Sequence, residues 1–256
     1  MIRREAETFF AALRFFTRIP VPAWVGHAEE PLNRAARWFP AIGWIVGGCG
    51  AGVTLAALQV WPAPIAVLLG MVAALLLTGA FHEDGLADTI DGLGGGRTRE
   101  DALSIMKDSR IGSYGAIGIG MALLLKFAAL VELAVLPAPT FVGLLVAGHA
   151  VSRFASTSLI HALDYARAEE TGGTAKPLAT RLGRGELVFA ALCGLAPCLL
   201  LPWAPVAVAL GLVALVTLLA ARTFVRRLGG YTGDCLGATQ QLTEIAFYLG
   251  LLCVFS

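Results

Sequence analysis

Charged residues are scarce in this sequence of 256 residues. Only 14% of them are Asp, Glu, Lys or Arg, whereas 57% are apolar. Ordinary soluble domains have about a quarter of their residues charged, so this composition excludes that class. The scarcity of charge instead indicates an integral membrane protein.

Several common functional signals are also missing. The five cysteines have neither the spacing of a zinc site nor a secreted disulfide pattern, so we interpret them as packing residues. No basic patch for nucleic acid is visible in the sequence. Residues 1–20 do not form a cleaved signal, because Arg14 and Arg18 interrupt the apolar core that a signal peptide needs. With no internal repeat and no long linker, the sequence predicts a single integral membrane domain over 1–256.

Long apolar runs are abundant. A helix of roughly 17–25 residues crosses a bilayer core, and runs near this length recur along the chain. We predict an all-α, polytopic transmembrane bundle of about seven spans. The fifth and sixth are short and closely joined, so they form either a tight hairpin or a membrane-dipping pair. The predicted spans are 38–60, 64–81, 114–136, 141–160, 187–202, 205–221 and 238–255.

The basic residues lie on one side of these spans. Of 19 Lys and Arg residues, six precede the first span, four lie in 82–113, four in 161–186 and three in 222–236. Short cytoplasmic loops hold most Lys and Arg in membrane proteins. We therefore expect the N-terminus and the loops 82–115, 161–186 and 222–237 to be cytoplasmic.

Residues 1–22 predict an amphipathic helix on the inner membrane surface. Apolar and charged residues recur at helical spacing on opposite faces, as in helices that lie on membrane lipid. Pro20 and Pro22 end this helix, because proline cannot continue it.

The most informative segment is 82–92, HEDGLADTIDG, in which Glu83, Asp84, Asp88 and Asp91 follow an apolar run. In a helix, the three aspartates stand at i, i+4 and i+7 and project from one face. Like charges at this spacing repel unless a cation neutralises them. Because Mg²⁺ prefers oxygen ligands, we predict that these four carboxylates hold Mg²⁺. A solvated acidic helix end is the alternative.

The first two predicted loops combine features that suit phosphate groups. The first contains a triple glycine at 94–96, which fits either a phosphate or a flexible hinge, and Arg110, whose planar fork matches phosphate oxygens. The second contains Tyr165, Arg167 and Lys176, which suit anions and planar rings or simply reflect the positive-inside bias.

Further candidates lie in the third loop and within the spans. Asp234 adds a carboxylate to the third loop, where it is alternatively a helix cap, and Glu244 follows early in the last span. Ionisable residues inside spans are functional candidates by default. His149 and Arg153 share a helix face, and Arg153 is placed to reach a substrate phosphate or an acidic ligand. We interpret Lys126 as structural, with a partner on another helix.

A carboxylate cluster for a divalent metal, basic groups on neighbouring loops and a membrane bundle together predict transfer chemistry on a phosphate or diphosphate ester. The metal would bridge phosphate oxygens and offset charge on the leaving group, while arginines hold the rest. These features alone do not identify the substrate.

Five motifs, in this order, resemble those of the cobalamin synthase family, also called adenosylcobinamide-GDP ribazoletransferase. The resemblance spans almost the whole chain, and the third and fourth motifs are the most specific. The motifs are LRFFTRIPVP at 13–22, WFPAIG at 38–43, HEDGLADTIDG at 82–92, KDSRIGSYG at 107–115 and GGYTGDCLGA at 229–238, with Glu244 after the last.

The resemblance implies a Mg²⁺-dependent reaction late in vitamin B12 assembly. A hydroxyl of α-ribazole, or of α-ribazole 5′-phosphate, would attack the cobinamide-linked phosphorus of adenosylcobinamide-GDP. GMP would leave, and adenosylcobalamin or its 5′-phosphate would form. The expected location is the bacterial cytoplasmic (inner) membrane.

The resemblance also implies residue roles. Asp84, Asp108 and Asp234 are the predicted catalytic residues. Asp84 would act at the metal, and Asp108 or Asp234 would orient or deprotonate the attacking hydroxyl, unless positioning alone suffices. The predicted substrate-binding residues are Arg18, Arg97, Lys107, Arg110, Arg153, Tyr165, Arg167, Lys176 and Glu244.

Two other functions stay open at this point. Polyprenyl transferases and CDP-alcohol phosphatidyltransferases also use Mg²⁺ and aspartate-rich motifs in membranes, although their spacings differ from EDGLADTIDG. A transporter would also have several helices and buried charges. Here, however, the acidic residues gather at the predicted cytoplasmic edge instead of at mid-depth.

Overall fold

The computed structural model describes residues 2–25, 34–167 and 182–255. These ranges are almost wholly helical, and their only extended pairing is a single bridge between Tyr165 and Tyr231. The predicted all-α class is therefore confirmed. The helices are α1 (Ile2–Phe16), α2 (Phe39–Ala57), α3 (Ala63–Thr78), α4 (Phe81–Gly95), α5 (Arg99–Ile105), α6 (Ser113–Leu133), α7 (Ala138–Ala162), α8 (Arg184–Leu195), α9 (Trp203–Leu228) and α10 (Gly233–Phe255).

Each of the seven predicted spans coincides with a helix. Among the described residues, four helical segments are long and apolar enough to cross a membrane on their own: Ala36–Ala57, Ser113–Leu133, Trp203–Leu228 and Gly233–Phe255. The count rises to five if α3 and α4 are taken together as one broken span. Seven is thus higher than length and composition support, because α3 and α8 are short for a span, and α7, although it has 25 residues, is not apolar enough.

The predicted amphipathic helix forms as α1, and it packs on the protein as well. Its residues Ala11, Ala12, Leu13 and Phe16 are buried in a core cluster that also contains the start of α2. The apolar face of α1 therefore lies against the protein at its C-terminal end. This contact brings two phenylalanines of α1 close to the start of α4.

A sharp bend between α3 and α4 places the acidic motif. The two helices meet at 87°. Gly79 and Ala80 both adopt the left-handed conformation at the bend, with φ values of 68° and 57°. An L-residue there costs roughly 1–2 kcal/mol, so Ala80 is strained where Gly79 is not. Because α4 turns across the direction of α3 and has only 15 residues, we treat it as lying at the end of the span.

Two arginines tie the neighbouring loops to one another. Arg99 donates to the backbone oxygens of Leu228 and Ala166, at 2.8 and 2.7 Å. Arg227 donates to the backbone oxygen of Gly96 at the end of α4, at 2.8 Å. Orphan carbonyls at helix ends need such donors. As a result, the ends of α4, α7 and α9 are held at the same end of the bundle.

Candidate active site

The acidic motif forms a helix, as its spacing predicts, but its carboxylates face different surroundings. Asp84 is exposed and Asp88 is half-buried, whereas Asp91 is buried with 7% exposure. Glu83 is partly buried and turns toward α10. The four carboxylates therefore do not form one equivalent set.

Asp91 caps the next long helix. Its two carboxylate oxygens accept hydrogen bonds from the backbone nitrogens of Gly112 and Gly115, at 2.7 and 2.8 Å. These donors lie at the start of α6, where backbone N–H groups have no partner within the helix and where the helix dipole favours negative charge. A side chain at Gly112 or Gly115 would collide with the carboxylate. Asp91 thus has a structural role, and its predicted contact with a metal stays a prediction.

Glu83 belongs to a buried polar network. Its Oε1 accepts a hydrogen bond from Gln241 at 2.8 Å, and Gln241 also donates to Gln240 at 2.8 Å. The other oxygen of Glu83 is buried and has no partner among the described residues. The network connects α4 to the interior of α10.

Asp84 and Asp88 lie on the part of α4 that packs closely against the start of α10, where Asp234 stands. A Cβ on Gly85 would lie 3.0 Å from the backbone oxygen of Asp234, so glycine is what permits this approach. Burial, followed by the charges of Asp84, Asp234 and Asp91, raises the pKa of Asp88 to about 6. We call Asp84, Asp88, Asp234 and Arg167 the acidic patch.

Arg167 is the basic member of the acidic patch. Its Nη2 lies 3.5 Å from Asp234 Oδ2 and also donates to the backbone oxygen of Leu103 at 3.5 Å. Its Nε is buried and has no hydrogen-bond partner within the described ranges. Arg167 therefore has donor capacity left for an anion next to the carboxylates.

The patch has the chemistry of a magnesium site without a complete ligand set. Among the described residues, no group of three or more His, Cys, Asp or Glu side chains is close enough to hold a metal ion. Mg²⁺ commonly binds one or two carboxylates and completes its coordination with water and substrate phosphates. Two or three nearby aspartates are compatible with this mode of coordination.

Asp108 and Arg110 pair with each other. The Arg110 guanidinium lies 2.6 Å from Asp108 Oδ2, and the backbone nitrogen of Arg110 donates to Oδ1 at 3.1 Å. This pairing lowers the pKa of Asp108 to about 2, which leaves that carboxylate a weak proton acceptor. Of the two predicted bases, Asp234 has the more suitable position.

The other predicted substrate-binding residues are divided between surface and interior. Arg18, Arg97 and Lys107 are exposed, and Arg18 packs against the bend at Gly79. Tyr165 is half-buried and lies two residues before Arg167. Lys176 falls outside the described residues.

Arg153 and Glu244 lie inside the bundle. Arg153 has 2% exposure and donates to the backbone oxygen of His149 at 3.0 Å, while its Nε has no partner within the described ranges. Glu244 has no exposure and lies 2.6 Å from Lys126 Nζ. The geometry gives both residues an internal role, and their contact with substrate stays a prediction. Lys126 has the partner on another helix that the sequence indicated.

Two glutamines complete this interior network and were not singled out from the sequence. Gln240 donates to Glu244 at 2.7 Å and to Ser152 at 2.9 Å, and Gln241 reaches Glu83. Adjacent amides within an apolar span are costly to bury unless they are hydrogen-bonded. Gln240 and Gln241 lie four and three residues before Glu244, which is about one helical turn, and this spacing was the signal available in the sequence.

Comparisons with known proteins point to one family. The profile of the family described as cobalamin-5-phosphate synthase matches residues 8–252. A protein of Ralstonia nicotianae, "Adenosylcobinamide-GDP ribazoletransferase", is 49% identical over 95% of this chain and 94% of its own length. Proteins of the same description from Ralstonia pickettii and Shewanella amazonensis are 49% and 48% identical, and cover 100% and 99% of this chain and 98% of their own lengths. No solved structure matches the chain significantly.

Proposed function

This chain belongs to the cobalamin-5-phosphate synthase family, and we propose that it joins adenosylcobinamide-GDP to α-ribazole, or to α-ribazole 5′-phosphate, in a Mg²⁺-dependent reaction. It is an enzyme, a transferase of cobalamin synthesis. In the proposed reaction, a ribose hydroxyl forms a bond to the phosphorus that carries cobinamide. The bond from that phosphorus to GMP breaks, GMP leaves, and the hydroxyl proton passes to a base.

The observation that carries the proposal is the meeting of carboxylates and a guanidinium in the acidic patch. Asp84 and Asp88 come from α4, Asp234 from α10, and Arg167 from the chain after α7. Carboxylates bind a hard cation, and guanidinium groups bind phosphate oxygens through paired hydrogen bonds. A patch that offers both suits a diphosphate bound together with its metal ion.

The donors of the patch fit Mg²⁺, because they are oxygen atoms only and are partly open to solvent. Asp84 and Asp88 would hold the ion, with Asp234 next to them. When bound, Mg²⁺ would offset negative charge on the diphosphate and on the departing GMP. Glu83 accepts a hydrogen bond from Gln241, and Asp91 accepts hydrogen bonds from the start of α6, so these two carboxylates would position α4.

We assign the orientation and deprotonation of the attacking hydroxyl to Asp234. This carboxylate lies in the patch, whereas Asp108 is paired with Arg110 and has a pKa of about 2. Asp234 would accept a hydrogen bond from the hydroxyl, orient it toward phosphorus and take up its proton. Arg167 would bind the phosphate oxygens. Four exposed residues remain as proposed contacts to the rest of the corrinoid substrate: Arg18, Arg97, Lys107 and Arg110.

We infer that the acidic patch faces the cytoplasm from a bacterial inner membrane. The basic residues gather in the same connections as the patch, and the positive-inside rule assigns such connections to the cytoplasm. Cysteine labelling of the intact cell tests the orientation. A cysteine replacing the exposed Arg97 should react with a membrane-impermeant reagent only after the membrane is opened.

Turnover tests the reaction. Full-length protein in detergent would be incubated with adenosylcobinamide-GDP and either α-ribazole or its 5′-phosphate, with Mg²⁺ or with EDTA. We expect equal amounts of GMP and joined corrinoid product with Mg²⁺, and neither with EDTA. GMP release without a joined product would contradict transfer, and undiminished turnover in EDTA would contradict the role of the metal.

Variants of the patch test the assignment of residues. We expect Asp88→Asn to lower kcat by about 10²-fold or more, the usual range for removal of one group that stabilises transition-state charge. The matched control is Glu100→Gln, which neutralises an exposed carboxylate on α5, outside the patch. Equal losses in the two variants would indicate a general effect of charge and would remove the patch from the mechanism.

A further inference from the structure

A cavity of about 270 Å³ lies beside the acidic patch. It is enclosed by the C-terminal ends of α1 and α7, the starts of α2, α4 and α10, and the chain before α10. Its volume is slightly below the roughly 300–1,000 Å³ of pockets for drug-sized ligands. It therefore suits a small ring system better than a whole nucleotide. The walls are mostly aromatic and include Phe15, Phe16, Phe39, Phe81, Tyr165 and Tyr231.

The aromatic walls form a continuous cluster. The ring centroids of Phe16 and Phe39 are 4.5 Å apart, and those of Phe15 and Phe81 are 4.9 Å apart. The rings of Tyr165 and Tyr231, which also line the cavity, are 5.5 Å apart. Aromatic rings favour edge-to-face and offset contacts with a further flat ring at such separations. The imidazole of His82 also lines the cavity and stacks on Phe16 with ring centroids 5.0 Å apart, so the walls favour a planar occupant.

One hydroxyl in the wall lacks a partner. Thr157 has 1% exposure and lines the cavity, and its Oγ1 has no hydrogen bond among the described residues. Threonines inside helices usually bond to a carbonyl one turn earlier. Among the described residues, seven other helical threonines do so: Thr8, Thr54, Thr78, Thr217, Thr223, Thr239 and Thr243. Thr89 on α4, outside this cavity, also has no partner within the described ranges. A buried hydroxyl without a partner is costly, and a ligand in the cavity that accepts a hydrogen bond from Thr157 would remove this cost.

Several residues that line the cavity are close in sequence to the residues that would perform the transfer. Gly233 and Gly237 line it on either side of Asp234 along the chain. Phe81 precedes Asp84 by one helical turn, and Tyr165 stands two residues before Arg167. A sugar attached to a base in this cavity therefore has a short path to the acidic patch.

We propose that this cavity binds the benzimidazole base of ribazole, with the hydroxyl of Thr157 donating a hydrogen bond to the free ring nitrogen. The inference rests on the proposed function, because ribazole enters through that reaction. The base is a flat, apolar double ring with one nitrogen attached to the sugar and one acceptor nitrogen free. Guanine, the other base in the reaction, carries more donors and acceptors than benzimidazole and would need a polar partner in the cavity for each of them.

Steady-state kinetics with both substrates varied tests the base site. Thr157→Val removes the hydroxyl and keeps the shape. We expect the KM for α-ribazole to rise roughly 2- to 13-fold, the equivalent of one net hydrogen bond, while the KM for adenosylcobinamide-GDP stays unchanged. Thr157→Ser should restore the wild-type value. Thr223→Val, on the exposed surface of α9, is the matched control.

An analogue of α-ribazole with the free ring nitrogen replaced by C–H identifies the acceptor. Wild type should bind this analogue less tightly than α-ribazole by the same factor that Thr157→Val produces. The variant should not distinguish the two compounds, because groups that interact give non-additive losses. Equal discrimination by wild type and variant would overturn the proposal, as would a Thr157→Val effect of the same size on both substrates.

Direct binding separates this inference from the proposed reaction. If the wild-type protein transfers cobinamide phosphate but Thr157→Val behaves like wild type, the base site is wrong and the reaction stands. If the wild-type protein releases no GMP, the reaction is wrong, and calorimetry with α-ribazole alone decides the cavity. Binding that weakens in Thr157→Val would then support the site, and no binding would overturn it.

Discussion

Asp91 offers the sharpest test of the structure, because its sequence pattern indicates a metal ligand whereas its contacts indicate a helix cap. Asp91→Ala removes the acceptor for two backbone N–H groups, one of them, that of Gly115, buried. Loss of a cap costs about 0.5–2 kcal/mol, and a buried donor left unpaired costs about 1–3 kcal/mol. We therefore expect a loss of about 2–4 kcal/mol, and about half of that in Asp91→Asn, which keeps one acceptor oxygen.

Thermal unfolding in detergent without Mg²⁺ measures this loss. One kcal/mol shifts the midpoint by about 2–4 °C in a chain near this size, so Asp91→Ala should lower it by about 4–16 °C. Glu100→Gln, at an exposed position of α5 outside the acidic patch, should change it little and serves as the control. If Asp91→Ala keeps the wild-type midpoint but abolishes the response to Mg²⁺, Asp91 is a metal ligand and the cap is unimportant.

Three further predictions concern the patch and its support. In metal-free protein above pH about 6, Asp88→Asn should raise the unfolding midpoint. The raised pKa of Asp88 means that this carboxyl binds its proton more tightly in the folded state than in the unfolded state, so its ionisation between about pH 4 and 6 destabilises the fold. An unchanged midpoint would contradict the repulsion between the patch carboxylates. Lys126→Met should lose about 3–5 kcal/mol, because the buried charge of Glu244 loses its lysine and keeps only its neutral donors Gln240 and Tyr248. Glu244→Gln in the same chain should restore part of the loss, which thermal unfolding measures. Gly85→Ala should cost about 1–3 kcal/mol of stability, because the added Cβ contacts the backbone of Asp234. It should also lower kcat by more than the loss of folded protein explains. Normal specific activity would show that the close approach of the two helices is unimportant.

Helix positions and the acidic helix were predictable from local patterns. Apolar runs of membrane-spanning length and the i, i+4, i+7 spacing depend only on neighbouring residues. The helical form of 81–95 follows from them. The count of spans did not follow as well, since a run such as 187–202 reads as apolar although its helix ends at Leu195 and continues as a 3₁₀ turn.

The surroundings of each carboxylate were not predictable, because they depend on residues distant in the chain. Asp91 accepts hydrogen bonds from Gly112 and Gly115, and Glu83 accepts one from Gln241. Periodicity places three aspartates on one side of a helix but does not reveal which neighbour covers each position. Asp234 joins the patch through a close helix contact at Gly85, which no local pattern encodes.

The ion pair between Lys126 and Glu244 also constrains the order in which the membrane domain assembles. Lys126 is buried in α6, yet its partner belongs to α10, which leaves the ribosome after the three intervening helices α7, α8 and α9. A lysine at the centre of a membrane helix costs about 2.5–3.5 kcal/mol on insertion scales. Until α10 arrives, α6 therefore carries an unpaired charge in the bilayer. A chain that stops before α10 keeps this defect, so stable insertion of α6 depends on the last helix of the domain.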